Sequence, residues 1–492
     1  MKEKHTNSER ILGGDGEANI ATMRLSSNSQ TRQLEAWAVT HLPAHTLMRR
    51  AGLAIARLAM AVAPHARVIW VACGPGNNGG DGYEAAQHLK QWGKTVIVTA
   101  CNQAHGMPAD AAASRQCAID SGVLIATEAP EQYDLCIDAL FGIGPMREVG
   151  APYSTWINNI NSKAAPVLAV DIPSGLDAET GTTHTTSVCA DYTLSLLTLK
   201  PGLFTANGRD ACGEIWFDSL GVDQDSEMVF AELNGTPPRV VRAHSTHKGS
   251  FGDVGIVGGA PGMAGAALLA AMAALHGGAG RVYLALLDTS IAQLDTGQPE
   301  VMFRNPNELA YESMTIVAGC GGGNSIAEPL QGILQRAARL VLDADALNAI
   351  SLDASLQKLL AARPPMTTIL TPHPLEAARL MNMPSAQVQE NRLNSAQTIA
   401  DRFACTVVLK GSGTVIAAPG RVPRVNPTGN ARLASAGTGD VLAGLIGAQF
   451  ASGANPFACA CDSVYRHGEV ANNWLHSFPM TAQDLAKTVC RI

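Results

Sequence analysis

Apolar residues return at helical spacing across residues 31–63, and the pattern breaks at Pro43, which predicts two consecutive helices. Residues 67–73 then run apolar without alternation, the pattern of a strand buried on both faces. The run ends in Gly74-Pro75-Gly76-Asn77-Asn78-Gly79-Gly80-Asp81-Gly82. A helical segment over 83–92 and a second strand over 95–100 follow, giving a βαβ unit with a glycine-rich first turn. Short apolar runs at 133–137 and 167–170 predict two more strands, ending in Asp138-Ala139-Leu140-Phe141-Gly142 and Asp171-Ile172-Pro173-Ser174-Gly175. The rhythm returns in the second half, with strands at 253–257, 315–318, 340–342, 368–370 and 406–409. A helical stretch after residue 263 is so rich in alanine and glycine that a neighbouring element or a flat ligand could approach it closely. Strands alternating with helices in this way predict an α/β fold built on parallel sheets.

Residues 221–242 carry an acidic patch and then Asn234-Gly235-Thr236-Pro237-Pro238, with little periodicity, which reads as a linker with a boundary near Ala231. The expected organisation is a loose extension over 1–29, a first domain over 30–222, a linker over 223–242 and a second domain over 243–492. A length of 492 residues fits two large domains, and 46% hydrophobic residues with 48 glycines and 16% charge fit a compact enzyme. The formal charge of −7 and the absence of a Lys/Arg block argue against nucleic acid or a membrane surface as partner. Any nucleotide must therefore be held locally. Eleven cysteines without a CxxC pair indicate neither a zinc site nor a disulfide framework, and a cytoplasmic, reducing compartment is expected.

Gly74, Gly76 and Gly79 satisfy GxGxxG, yet the second strand ends at Ala100-Cys101 with no acidic residue to hold a ribose, so the dinucleotide fingerprint is incomplete. Asn77, Asn78 and Asp81 either cap the turn or supply the oxygen ligands that a hard cation prefers. Because carboxyl ends of parallel strands share one edge, Asn78, Asp138, Asp171 and Ser174 could meet over a common crevice.

The set GNNGGDG, DALFG, DIPSG and Leu199-Lys200-Pro201-Gly202-Leu203 resembles the N-terminal NAD(P)HX epimerase domain of the bifunctional NAD(P)H-hydrate repair enzymes. The resemblance spans about residues 30–222 and implies a Rossmann-like three-layer αβα fold. It also implies a potassium ion at Asn78, Asp138 and Ser174. Asn77, Asn78, Gly79, Gly80, Asp81, Gly142, Ile143, Gly144, Pro145, Met146, Arg147, Glu148 and Asp171 would contact the damaged nucleotide. The family usually carries Thr where Ile143 stands. The implied reaction inverts C6 of a hydrated dihydronicotinamide, with Asp138 as the acid/base group.

Ala434-Ser435-Ala436-Gly437-Thr438-Gly439-Asp440 runs straight into an apolar segment. Small residues at a helix start let backbone N–H groups receive an anion such as phosphate, and Asp440 would then be placed to take a proton from an attacking hydroxyl. An ordinary N-cap aspartate is the alternative. No GxxxxGK[ST] occurs, while Lys410-Gly411-Ser412-Gly413-Thr414 could cradle phosphates between strands. His373, between two prolines, suits an orienting or structural role better than metal ligation.

With GTGD, these motifs resemble the C-terminal ADP-dependent (S)-NAD(P)H-hydrate dehydratase domain of the same family, a ribokinase-like αβα fold, over about residues 248–492. The resemblance implies ADP with Mg²⁺ at Lys410, Gly411, Ser412, Gly413, Thr414, Asn430, Gly437, Thr438 and Gly439. The hydrate would lie against Ala266, Gly322, His373 and Asp440. Relatives usually read Gly-Pro-Gly-Leu-Gly where Gly319-Cys320-Gly321-Gly322-Gly323 stands, glycine at Ala436, and Gly-Met at Arg432-Leu433. Phosphorylating the C6 hydroxyl would turn a poor leaving group into phosphate, with Asp440 as base and the glycine-loop amides on the transferring group. Expected partners are NADHX, NADPHX, ADP and further copies of the chain in a homo-oligomer. Two other readings are a vitamin-type kinase fused to a nucleotide-binding domain, and a first half that only binds.

Overall fold

A computed structural model describes residues 8–12, 22–101, 106–144, 148–162, 164–183, 185–223, 229–238, 242–290, 295, 297–475 and 477–489. The chain divides into two compact units, the first ending at Ala231 and the second running on from Glu232.

The first unit is a sheet in the spatial order Glu9–Leu12, Glu214–Asp218, Tyr192–Leu196, Val167–Val170, Leu135–Ala139, Val68–Cys73, Thr95–Thr99 and Leu124–Ala126. All neighbours are parallel except the first pair. Unbroken apolar runs make sense here because both faces are covered. Ile69, Val71 and Cys73 pack towards helices Thr46–Val62 and Asn77–Gln91, while Trp70 and Ala72 pack with Trp156 and Ile157 of helix Tyr153–Ser162.

Three expectations are corrected. The helix of the βαβ unit starts at Asn77, inside the glycine-rich stretch, not at Tyr83. A Cβ on Gly79 would sit 2.0 Å from the carbonyl oxygen of Gly74, so glycine there lets the helix lie directly against its own turn. The strand expected over 133–137 is Leu135–Ala139, which places Asp138 within the strand, opposite Ala72 and Ala169. The extension expected over 1–29 contains strand Glu9–Leu12, paired with Glu214–Asp218, and Ser27 caps helix Asn28–His41. An edge strand of four residues is too short to leave a periodic signal.

In the second unit the strands run Met302–Phe303, Arg281–Leu286, Asp253–Gly258, Thr315–Ala318, Arg339–Leu342, Thr368–Leu370, Thr406–Leu409, Val415–Ala417, Arg424–Val425 and Ala231–Leu233. The central strands are parallel, with Val415–Ala417 antiparallel to both of its neighbours. Ala231–Leu233 corrects the linker reading: it pairs with Arg424–Val425, and buried Asn234 donates to Cys461 O at 2.8 Å. The alanine-rich segment is helix Ala264–His276, approached by Thr438–Ala451 so closely that a Cβ on Gly444 would lie 2.0 Å from Ala270 O. Helix-on-helix packing accounts for that run of small residues. No described helix is long and apolar enough to cross a membrane, and the cysteines among the described residues are free thiols.

Candidate active sites

The turn after Val68–Cys73, the loop after Leu135–Ala139 and the turn after Val167–Val170 open onto one cavity of about 1090 Å³ in the first unit. Asn77, Asn78, Asp81, Gly142, Ile143, Gly144, Glu148 and Asp171 line it. Gly79 and Gly80 do not; they are buried inside the helix, where a Cβ on Gly80 would meet Met48. Pro145, Met146 and Arg147 lie outside the described residues.

Asp138 and Ser174 lie beneath the cavity wall. The Asp138 carboxylate is fully buried and accepts from Ser174 N (2.8 Å), Ser174 Oγ (2.7 Å) and Leu140 N (3.2 Å). Burial pushes it up to about 6 despite these bonds, and among the described residues no Lys or Arg opposes that rise. Among the described residues, the buried Nδ2 of Asn78 has no hydrogen-bond partner. The Asp138 carboxylate, the Ser174 hydroxyl and the amide oxygen of Asn78 are the oxygen donors that a hard cation prefers.

Asp171 is held differently. It adopts φ +67°, its Oδ1 accepts from Leu196 N at 3.1 Å, and it pairs with fully buried Lys200, whose ammonium also donates to Leu196 O at 2.7 Å. Glu35, on helix Asn28–His41, shares the same cavity and was not visible from sequence.

In the second unit, helix Thr438–Ala451 begins with Gly437 at φ +90°, where glycine permits the left-handed turn. Among the described residues, the N–H groups of Gly439 and Asp440 have no acceptor, as expected for a first helical turn open to an anion. Thr438 is turned inward, its hydroxyl donating to Leu433 O at 2.8 Å and its carbonyl accepting from His467 at 2.9 Å.

Asp440 stands with Asp343 and Cys320, their ligand atoms all within 4.8 Å of one another. Burial, then Asp343, raises Asp440 to about 6, and a hydrogen bond from Cys320 partly opposes this. Lys410 donates to Asp343 at 2.6 Å, and its Nζ is 3.4 Å from where a Cβ on Gly439 would be. Burial opposes the Lys410 charge, yet Asp343 and Glu376 raise its pKa above the ordinary lysine value. Glu376 itself is pushed by burial to about 7.

His373 caps its own helix by accepting from Leu375 N at 3.1 Å, with burial and then Lys410 lowering its pKa. Ala266 approaches Gly321, and Gly322 is buried against Ile326. Gly411 and Ser412 are exposed, Thr414 is half-buried, and Gly413 is buried. Arg392 secures this loop from beneath, donating to Leu409 O and Lys410 O at 3.1 Å each and to Gly413 O at 3.4 Å. Asn430 is exposed and donates to Ala471 O at 2.9 Å. Asp343, Glu376 and Arg392 were missed as site residues, although Asp343 directly follows the strand expected at 340–342.

A family model described as NAD(P)H-hydrate dehydratase matches residues 254–491, and one described as YjeF-related protein N-terminus matches residues 44–202. The bifunctional NAD(P)H-hydrate repair enzyme Nnr of Escherichia coli (strain K12) is 37% identical, with 93% of this chain and 91% of the relative covered. The enzyme of the same name from Coxiella burnetii is 34% identical, with 91% and 94% covered. Among solved structures, the ADP/ATP-dependent NAD(P)H-hydrate dehydratase from Bacillus subtilis, co-crystallised with ATP/Mg²⁺, is 29% identical with a TM-score of 0.43. It covers 52% of this chain and 92% of its own. With both halves matched and relatives covered along nearly their whole length, the chain belongs to the family of bifunctional NAD(P)H-hydrate repair enzymes.

Proposed function

We infer that this chain repairs hydrated NADH and NADPH: the first unit interconverts the R and S hydrates, and the second dehydrates the S hydrate with ADP as phosphoryl donor. Similarity along the full length of bifunctional repair enzymes carries this reading. In the second unit Asp440 takes the proton of the C6 hydroxyl as it attacks the terminal phosphorus, and the free N–H groups of Gly439 and Asp440 hold the transferring group. Lys410 keeps positive charge beside that nest while anchored to Asp343. Mg²⁺ accompanying ADP would neutralise its phosphate oxygens; Asp343 offers an oxygen donor suited to it, whereas the Cys320 thiol does not. The phosphate then departs, pushed by the ring nitrogen, and the dihydronicotinamide is restored.

In the first unit, Asn78, Asp138 and Ser174 would hold K⁺, which would supply the counter-charge Asp138 lacks. Its carboxylate, held by three hydrogen bonds with acceptor capacity left over, suits that task better than proton transfer. The chain is expected to act in the cytoplasm, where reduced nicotinamide nucleotides and free thiols coexist.

Racemic hydrated NADH supplied with ADP and Mg²⁺ should return to full dihydronicotinamide absorbance. Recovery stopping at half would reject the epimerase, and no recovery the dehydratase. Since Asp440 works as a carboxylate and lies near 6, acidification protonates it: kcat/KM for the S hydrate should hold above about pH 7 and fall below about pH 6. A profile flat through pH 6 removes Asp440 as the base. Exchanging K⁺ for Li⁺ at constant ionic strength should slow epimerisation about tenfold, equivalent to about 1.4 kcal/mol. Equal rates in both salts would remove the cation from the first site.

A further inference from the structure

We propose that Glu35 and Asp81 are the proton-transferring pair of the epimerase half, Glu35 as base and Asp81 as acid. The proposal rests on the epimerase reading above and adds the groups that perform the reaction. Both side chains line the cavity from different helices, Asn28–His41 and Asn77–Gln91. Among the described residues neither carboxyl group has a hydrogen-bond or salt-bridge partner.

The other acidic groups there are occupied or open to water. Asp138 is enclosed by Ser174 and Leu140, and Asp171 is paired with Lys200. Asp177 accepts within its own turn from Thr180 N, and Glu148 is exposed. Arg32, one turn before Glu35, directs its guanidinium to Ile143 O at 3.1 Å. Glu35 also lies before residue 44, where the first family match begins.

The charged groups facing the pair give it its proton. Burial, then Asp171, raises Glu35, with Lys200 and Arg32 opposing. Burial, then Asp171, Glu35 and Glu84, raises Asp81 well above the usual carboxylate range, with Lys200 opposing. Asp81, the more deeply buried of the two, is thus the member that holds a proton more readily, as an acid facing a base requires.

The hydrate is a hemiaminal at C6. Glu35 removes the hydroxyl proton as the C6–N1 bond breaks, the electron pair moves to N1, and Asp81 protonates N1. The resulting C6 aldehyde turns about the C5–C6 bond. N1 then attacks the opposite face, losing its proton to Asp81 while Glu35 returns one to the oxygen. Nothing is oxidised or reduced, and no group is lost.

The full chain and its Glu35→Gln, Glu35→Asp and Asp81→Asn variants should be given racemic hydrate with ADP and Mg²⁺, the slow second half of recovery reporting epimerisation. Glu35→Gln and Asp81→Asn should each lower the epimerisation kcat at least about 100-fold, the usual lower size of an acid/base contribution, with little change in KM. Glu35→Asp should restore a measurable part, and the acidic limb of the pH–kcat profile should vanish in Glu35→Gln. Dehydration of pure S hydrate reports that each variant is folded and should stay at the wild-type rate. Wild-type epimerisation by Glu35→Gln or Asp81→Asn, or a loss confined to KM, would overturn the pair while leaving the epimerase reading intact. A wild-type chain that never recovers the second half would overturn both.

Discussion

Asp440→Asn is expected to slow dehydration of the S hydrate by about 10²- to 10⁴-fold, the range for removing a positioned general base. The amide keeps the size of the carboxyl and leaves the first-turn N–H groups of Gly439 and residue 440 in place, so ADP should still bind. It also relieves the repulsion from Asp343 that helps to raise Asp440, so stability should hold or rise slightly. Epimerisation in the same protein is the internal control: R and S hydrates should interconvert at the wild-type rate while no dihydronicotinamide forms. Single-turnover measurement with pure S hydrate decides the matter. A loss under tenfold would assign the proton to another group.

Lys200→Met should destabilise the first unit by about 3–5 kcal/mol, the effect of stripping a buried charge of its partner. Lys200 is fully buried, and its removal leaves Asp171 facing Asp81 and Glu35 with no ammonium among them. The double change Lys200→Met with Asp171→Asn should recover much of the loss, because neither charge is then orphaned. Hydrogen exchange in strands Val68–Cys73 and Val167–Val170, read through a urea series, reports this unit separately from the second. Equal protection in Lys200→Met and the wild type would show that the pair contributes nothing to folding.

Strands Val167–Val170, Thr315–Ala318, Thr368–Leu370 and Thr406–Leu409 were legible to the residue, because burial on both faces writes an unbroken apolar run flanked by polar turns. Glu9–Leu12 and Ala231–Leu233 were not; strands of three or four residues draw their pairing from distant chain. The helical start at Asn77 was hidden by glycines that disfavour helix locally yet allow it to lie against Gly74. Within the sites, local motifs pointed to the glycine nest and Asp440. The Lys410–Asp343 pair joins residues 67 positions apart, and Glu35 reaches its cavity from a helix with no motif, so neither could be seen in the order of residues alone. The vitamin-type kinase alternative has only the fold of the second unit in common with this chain, and relatives matched along the first half as well are named bifunctional repair enzymes, which favours catalysis there over binding alone.

Arg392 ties down three carbonyls around the Lys410–Gly413 loop, and Gly411 is already set at φ +130°. The entropy of fixing this segment is therefore lost when the protein folds and need not be lost again when nucleotide arrives. A loop so pinned is preset rather than a flap, and it contributes no closing movement of its own.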